Sequence, residues 1–240
     1  MIEKNQHKTL CMSHRGVKTK YPENTMGAYR DAVSAGYKSI EFDVVMSKDK
    51  TLYCSHNHDL ERETDGFGYI HDLRDSDIED GLAIHPITGM KEKIPRLDVV
   101  LGMLPRDMFL NIEIKSRRFF EIDIALQTAQ LVKRHVHEHR IMVSSFNPLV
   151  LRAVRILARN IKTGYLIKSR KHLLLYGLSG SNNIHPRADI LNDGLIQYCN
   201  RRKIEIIPWT VNTSPAKDHI LAQGISGIIS DEKRLLSSAI

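Results

Sequence analysis

A chain of 240 residues, 42% hydrophobic and 26% charged, carries enough apolar material for a substantial core and is not a disordered or fibrous sequence. Its formal net charge of +7 favours anionic ligands, but the basic residues are scattered through RRFF, LIKSRKH and NRRK, which argues against nucleic-acid binding. Three cysteines, Cys11, Cys54 and Cys199, lie too far apart for a disulfide framework or a zinc pattern, and no apolar run reaches membrane length.

The N-terminal MIEKNQHKTL is polar and lacks the apolar segment of a signal peptide, so a cytoplasmic location is expected. TLCMSH reads as a short buried strand ending at His14-Arg15-Gly16, where Gly16 permits a sharp turn. Asn24 or Thr25 can cap the helix that follows, with Ala28, Ala32 and Val33 facing inward and Gly36 stopping it. SIEFDVVMS is a second strand. The turn KDK joins it to TLYCSH, and so short a connection requires an antiparallel hairpin. The hairpin brings His56 back toward Glu41 and Asp43, so TLYCSH is read as an arm of the second strand. Residues 56–93 show no sustained period of two or of 3.6 and read as an irregular excursion.

Regular alternation then resumes. Helices are expected at LDVVLGML, EIDIALQTAQLVKRHV, PLVLRAVRILARN, KHLLLYGL, ADILNDGLIQYCNRR and SPAKDHILAQG. Strands are expected at MFLNIEIK, RIMVSSF, KTGYLI, NNIHP, IEIIPWTVN and ISGIISD. Eight strands interleaved with helices imply a parallel sheet, and eight units in this length favour closure. No GxGxxG follows the first strand, so a dinucleotide-binding fold has no support. The expected fold is α/β, a (β/α)8 TIM-type barrel with a hairpin arm and a short insertion, roughly residues 57–93, after the second barrel strand. Residues 1–240 are read as a single domain.

A strand turns alternate side chains to opposite faces, so Glu41 and Asp43 point the same way, as do Glu113 and Lys115. Two carboxylates flanked by apolar residues are costly to bury unless something positive sits between them, and a hard divalent cation suits carboxylate oxygen. His14, Arg15, His56, His185, Trp209, Asn212 and Asp231 also fall at or near strand ends. Three carboxylates, two histidines, an arginine and a lysine would thus meet at the mouth where parallel barrels place their active sites. Such a group offers a metal site, cations for a phosphate and two side chains suited to proton transfer. Glu23 reads as an acid favoured by the first helix dipole, and Phe146 as core.

Together these segments resemble one family. His14-Arg15-Gly16, Pro22-Glu23-Asn24-Thr25, Glu41-Phe42-Asp43 and His56 ahead of Leu60 and Arg62 look like the glycerophosphodiester phosphodiesterase family. The likeness continues through Ile94-Pro95-Arg96-Leu97, Asn111 to Lys115, Ser145-Phe146, Gly164-Tyr165-Leu166, Trp209 to Asn212 and the closing GIISD. It implies a TIM-type barrel that hydrolyses glycerophosphodiesters to glycerol 3-phosphate and an alcohol; because the neighbouring glycerol hydroxyl is a nucleophile held beside phosphorus, a cyclic phosphate is the expected intermediate. By motif position, Glu41, Asp43 and Glu113 would bind one divalent cation, Mg2+ or Ca2+. His14 and His56 would be general base and acid. Arg15 and Lys115 would hold the phosphate, with Trp209 as a further substrate contact. This chain departs from the family pattern at Asn57, Ser226 and Lys233, where aspartate, aspartate and proline are usual.

The expected partner is a small-molecule phosphodiester. The basic LIKSRKHLLLYGL stretch reads as a helix packed on the barrel in preference to a membrane contact. Two rivals stand beside this reading: a phospholipase D-like or phosphoinositide lipase-like barrel acting on lipid phosphodiesters, and a ligand-binding barrel without turnover. The preferred alcohol and the oligomeric state leave no mark in the sequence.

Overall fold

The computed structural model describes residues 10–134, 140–225 and 227–235. Ser226, the N-terminal residues 1–9 and residues 135–136, the end of the expected helix EIDIALQTAQLVKRHV, lie outside the described residues. The first half contains β1 (Leu10–His14), α1 (Met26–Ser34), β2 (Ser39–Met46), β3 (Leu52–Cys54), α2 (Asp75–Asp80), β4 (Leu82–Ile84), β5 (Lys91–Lys93), α3 (Leu97–Met103) and β6 (Phe109–Ile114). The second half contains α4 (Asp123–Lys133), β7 (Ile141–Ser145), α5 (Pro148–Leu157), β8 (Lys162–Ile167), α6 (Tyr176–Ser179), β9 (Asn183–Pro186), α7 (Asp193–Arg201), β10 (Glu205–Ile206), α8 (Ser214–Ala222) and β11 (Gly227–Ser230).

Eight strands lie side by side in the order β10-β9-β8-β7-β6-β2-β1-β11, with every neighbouring pair parallel. Two backbone bonds join the ends of this path: Ile229 N–H donates to Pro208 O at 2.9 Å, and Val211 N–H donates to Ile229 O at 2.9 Å. The sheet is therefore a nearly closed barrel wrapped in helices. Proline has no N–H to give, so IEIIPWTVN cannot run as one long ladder strand, and β10 is two residues long.

Period-two alternation sorts the strand side chains into two layers. Ile40, Phe42 and Val44 of β2 and Leu110, Ile112 and Ile114 of β6 join the apolar layer beneath the helices. Met12, Met142, Ile207 and Ile229 form a separate small cluster, one residue out of step with Cys11, Val143, Ile206 and Ile228 of the outer layer. Glu41, Asp43, Asn111 and Glu113 share this second, inner face. Inside the same wall the His185 ring lies against Gly164, where an added Cβ would come within 2.4 Å of its Nε2.

β3 runs antiparallel to β2, pairing Val44 with Cys54 and Met46 with Leu52. The excursion after it is more regular than its sequence pattern indicates. It contains the six-residue α2 and the antiparallel β4–β5 ribbon. Leu60, Ile70, Ile78, Ala83 and Ile94 form a satellite core with Val45 and Tyr53. The excursion docks on the β1–α1 loop. His85 Nδ1 accepts from the N–H groups of Ile87 and Thr88, which leaves Nε2–H to donate to Lys18 O at 2.9 Å. Thr88 Oγ1 donates to Lys20 O, and Gly27 N–H donates to Glu92.

Thr25, not Asn24, caps α1, its Oγ1 accepting from Ala28 N–H. KHLLLYGL is a 3-10 turn over Arg170–Leu175 that leads into the four-residue α6. Leu173 and Tyr176 pack on the outer core, whereas Leu174 points away from it. All three cysteines are buried and free. Among the described residues, no helix is long and apolar enough to cross a membrane.

Candidate active site

Strand register assembles the carboxylates. Asp43 is paired with Glu113, Glu41 with Asn111, and His14 with Glu41. In a parallel sheet, residues in register point to the same face. Glu41, Asp43 and Glu113 are buried, and one ligand oxygen from each lies within 4.8 Å of the others.

Two cations share this cluster. Lys115 Nζ lies 2.5 Å from Glu113 Oε1 and 2.9 Å from Asp43 Oδ1. Arg15 Nε lies 2.9 Å from Asp43 Oδ2, and its Nη1 donates to Glu23 Oε1 at 2.5 Å. Burial pushes the Asp43 carboxyl up, but Lys115 and Arg15 outweigh it and hold the group well below the usual carboxylate range. The Asn24 amide donates to Asp43 Oδ2 at 3.0 Å, and its carbonyl oxygen accepts the Asp43 N–H. Asn24 takes a left-handed φ of 57° at this position, which its side chain tolerates better than most.

Glu41 differs. Neither of its oxygens has a hydrogen-bond partner. Burial, then the neighbouring charges of Asp43 and Glu113, push its carboxyl well above the ordinary range. Burial likewise raises Glu113. A buried carboxylate with two unpartnered oxygens, facing two further carboxylates, is the donor set of a hard cation, and the three residues fit one.

His14 stands at the rim of β1. Its Nδ1 lies 2.7 Å from Asp231 Oδ1, and its Nε2 lies 3.9 Å from Glu41 Oε2. Asp231 also accepts from Lys18 Nζ at 2.6 Å and Asn212 Nδ2 at 2.9 Å. Burial lowers His14 below the ordinary histidine value, against the opposing hydrogen bond of Asp231. His56 reaches the same mouth from the end of the β3 arm. Burial pulls it down to about 4, against Asp43 and with the charges of Lys115 and Arg15.

A cavity of about 120 Å3 is lined by His14, Arg15, Glu41, His56, Glu113, Lys115, Phe146 and Trp209. Seven of the eight site residues expected from the sequence therefore line one cavity, and Asp43 lies beneath it, bonded to Arg15 and Lys115. Phe146 and Trp209 meet edge to face, 5.7 Å between centroids. His185, also expected near a strand end, is buried inside the barrel away from this cavity, and burial lowers it to about 3.

Other participants escaped the sequence reading. Glu23 is held by Arg15 and Lys18, so it serves the site and not only a helix dipole. Glu63 Oε1 lies 4.0 Å from His56 Nδ1 and supplies a carboxylate near His56 where Asn57 does not. Burial, with Glu23 close by, raises Glu63 to about 7. Nothing in the local pattern marks Lys18 or Glu63. Asn111 was legible, since it alternates in step with Glu113.

Asp231 carries a stability consequence. Burial alone would raise its carboxyl, but His14 and Lys18 hold it well below the unfolded-state value of about 4. A depressed acid contributes stability above that value and loses it as pH falls. Thermal melts between about pH 6 and pH 3 should therefore show a shallower acid decline for Asp231→Asn than for wild type. Parallel curves would mean that Asp231 does not contribute.

Comparison with known proteins gives this geometry a context. The family model described as "Glycerophosphoryl diester phosphodiesterase family" matches residues 14–234. The chain belongs to that family. A glycerophosphodiester phosphodiesterase of Caldanaerobacter subterraneus subsp. tengcongensis is 30% identical over 97% of this chain and 98% of its own length. One from Bacillus altitudinis is 28% identical over 93% of this chain and 94% of its own. Solved structures of family members share the fold. A phosphodiesterase of Oleispira antarctica, in complex with the product sn-glycerol-3-phosphate, superposes with a TM-score of 0.84 at 22% identity, covering 95% of each chain. A Silicibacter pomeroyi protein also gives 0.84 at 21% identity, covering 95% of this chain and 93% of its own.

Proposed function

We propose that the protein, acting as one unit over its whole length, hydrolyses glycerophosphodiesters to glycerol 3-phosphate and the free alcohol. The observation that carries this reading is one cavity lined by Glu41, Glu113, Arg15, Lys115 and a pair of histidines, with the third buried carboxylate, Asp43, bonded to Arg15 and Lys115 beneath it. Family membership and the product bound by the Oleispira antarctica relative support it.

Glu41, Asp43 and Glu113 would hold one divalent cation, Mg2+ or Ca2+ by the all-oxygen donor set. When bound, it supplies positive charge opposite the phosphoryl oxygens. Arg15 and Lys115 orient the phosphate, and Trp209 with Phe146 forms the apolar wall of the cavity. The neighbouring glycerol hydroxyl is the nucleophile, held beside phosphorus at high effective concentration. Asp231 accepts the Nδ1 proton of His14, which leaves Nε2 free to take the hydroxyl proton. The new P–O bond forms as the bond to the alcohol breaks, and His56 gives the alcohol its proton. An anionic phosphate beside Arg15 and Lys115 opposes the charges that hold His56 low in the free protein. Water then opens the cyclic phosphate. His56 takes the water proton, and His14 returns its own to the glycerol oxygen.

The test is an assay for glycerol 3-phosphate over a panel of glycerophosphodiesters, beginning with glycerophosphocholine. Release of glycerol 3-phosphate with choline is expected. Release of phosphocholine would place cleavage at the other ester bond, and no product from any member of the panel would end the proposal.

A further inference from the structure

Four large apolar side chains are more than four-fifths exposed: Phe67 at 83%, Ile87 at 88%, Phe120 at 82% and Leu174 at 86%. Single exposed apolar residues need no explanation, but these four share a location. Phe67 and Ile87 lie in the excursion after β3, Phe120 in the loop after β6, and Leu174 in the loop after β8. All hang from the end of the barrel where the catalytic cavity opens. The excursion and the β6 loop adjoin. After burial, the largest influence lowering His71 of the excursion is the charge of Arg117 in the β6 loop.

Charge accompanies the apolar tips. Exposed Arg117 and Arg118 precede Phe120, and exposed Lys168 and Lys171 precede Leu174. Among the described residues, none of these four cations is in an ion pair, and Lys168 Nζ lies over the Phe146 ring, 4.6 Å from its centroid. Glu121, the acid closest in sequence to the arginines, is engaged by the backbone N–H groups of Arg117 and Arg118. Protruding phenylalanine, isoleucine and leucine beside exposed arginine and lysine that no carboxylate neutralises is the composition of an interfacial membrane contact. A nucleic acid would meet the cations but give Ile87 and Leu174 nothing to pack against.

We propose that the mouth of the barrel docks on an anionic lipid surface. The four apolar side chains enter the headgroup layer, and the flanking cations meet lipid phosphates. The catalytic cavity then faces the bilayer. This docking does not depend on the reaction proposed above.

The experiment is cosedimentation of the full chain with vesicles of phosphatidylcholine alone and with added phosphatidylglycerol. Binding is expected for the anionic vesicles and should weaken with salt. The triple variant Phe67→Ser, Phe120→Ser, Leu174→Ser should bind at least about tenfold more weakly, with an unchanged melting temperature. Phe120→Trp should shift its emission to the blue on adding anionic vesicles, once the signal of Trp209 measured in the wild type is subtracted. Failure of the wild type to cosediment, equal binding by the triple variant, or tighter binding to DNA than to vesicles would each overturn the proposal.

Discussion

Replacing His14 or His56 by alanine should lower kcat on glycerophosphocholine by about 10²–10⁴-fold, the usual contribution of a general acid or base. The two variants should then part ways on a substrate whose alcohol leaves without help. On the glycerol diester of p-nitrophenol, the aryl oxide needs no proton as it departs. His56→Ala should recover most of its loss in p-nitrophenol release there, because its first proton transfer is no longer required, while glycerol 3-phosphate still forms slowly for want of the base that activates water. His14→Ala should stay inactive, since the glycerol hydroxyl must still lose its proton. Both variants should melt as the wild type does. The opposite pattern, with His14→Ala rescued, would exchange base and acid. Wild-type rates from either variant on glycerophosphocholine would remove that histidine from the mechanism.

Glu41→Gln should change stability in opposite directions with and without a divalent cation. Burial and the nearby Asp43 and Glu113 raise the folded-state carboxyl of Glu41 above its unfolded value. An acid raised in this way favours the folded chain only while protonated, so at neutral pH its charge is a cost. In thorough chelation the neutral amide relieves that cost, and Glu41→Gln should melt at or above the wild type. With Mg2+ or Ca2+ at about 100 times its Kd, the wild type should gain about 2.7 kcal/mol by mass action. The variant should gain much less. Turnover should disappear in chelator and return with the cation in the wild type alone. An identical cation response in both proteins would show that Glu41 is not a ligand.

What was legible in the sequence follows the range of the physics. Glu41-Phe42-Asp43 and Asn111-Ile112-Glu113 announce their faces by alternation, which is local. The pairing of Asp43 with Glu113 is set by register between strands 70 residues apart and cannot be read from either strand. Asn24 has the chemistry of a helix cap, yet it binds Asp43, because Thr25 caps α1 and frees it. The excursion hid its structure because its strands are three residues long and its helix six, too short to establish a period. Its core joins Leu60, Ile70, Ile78 and Ala83 at irregular spacing. KHLLLYGL has the apolar content of a packed helix, and only the fold shows Leu174 facing outward.

The division of β2 and β6 into an outer apolar face and an inner carboxylate face has an evolutionary consequence. Ile40, Phe42, Leu110 and Ile112 touch helices, so volume-conserving exchanges there cost less than about 1.5 kcal/mol and leave the inner face in place. Lineages can thus drift in thermal tolerance while their chemistry stays fixed. Lengthening either strand by a single residue would be far less forgiving, for everything beyond the insertion would swap sides and turn the acids toward the helices.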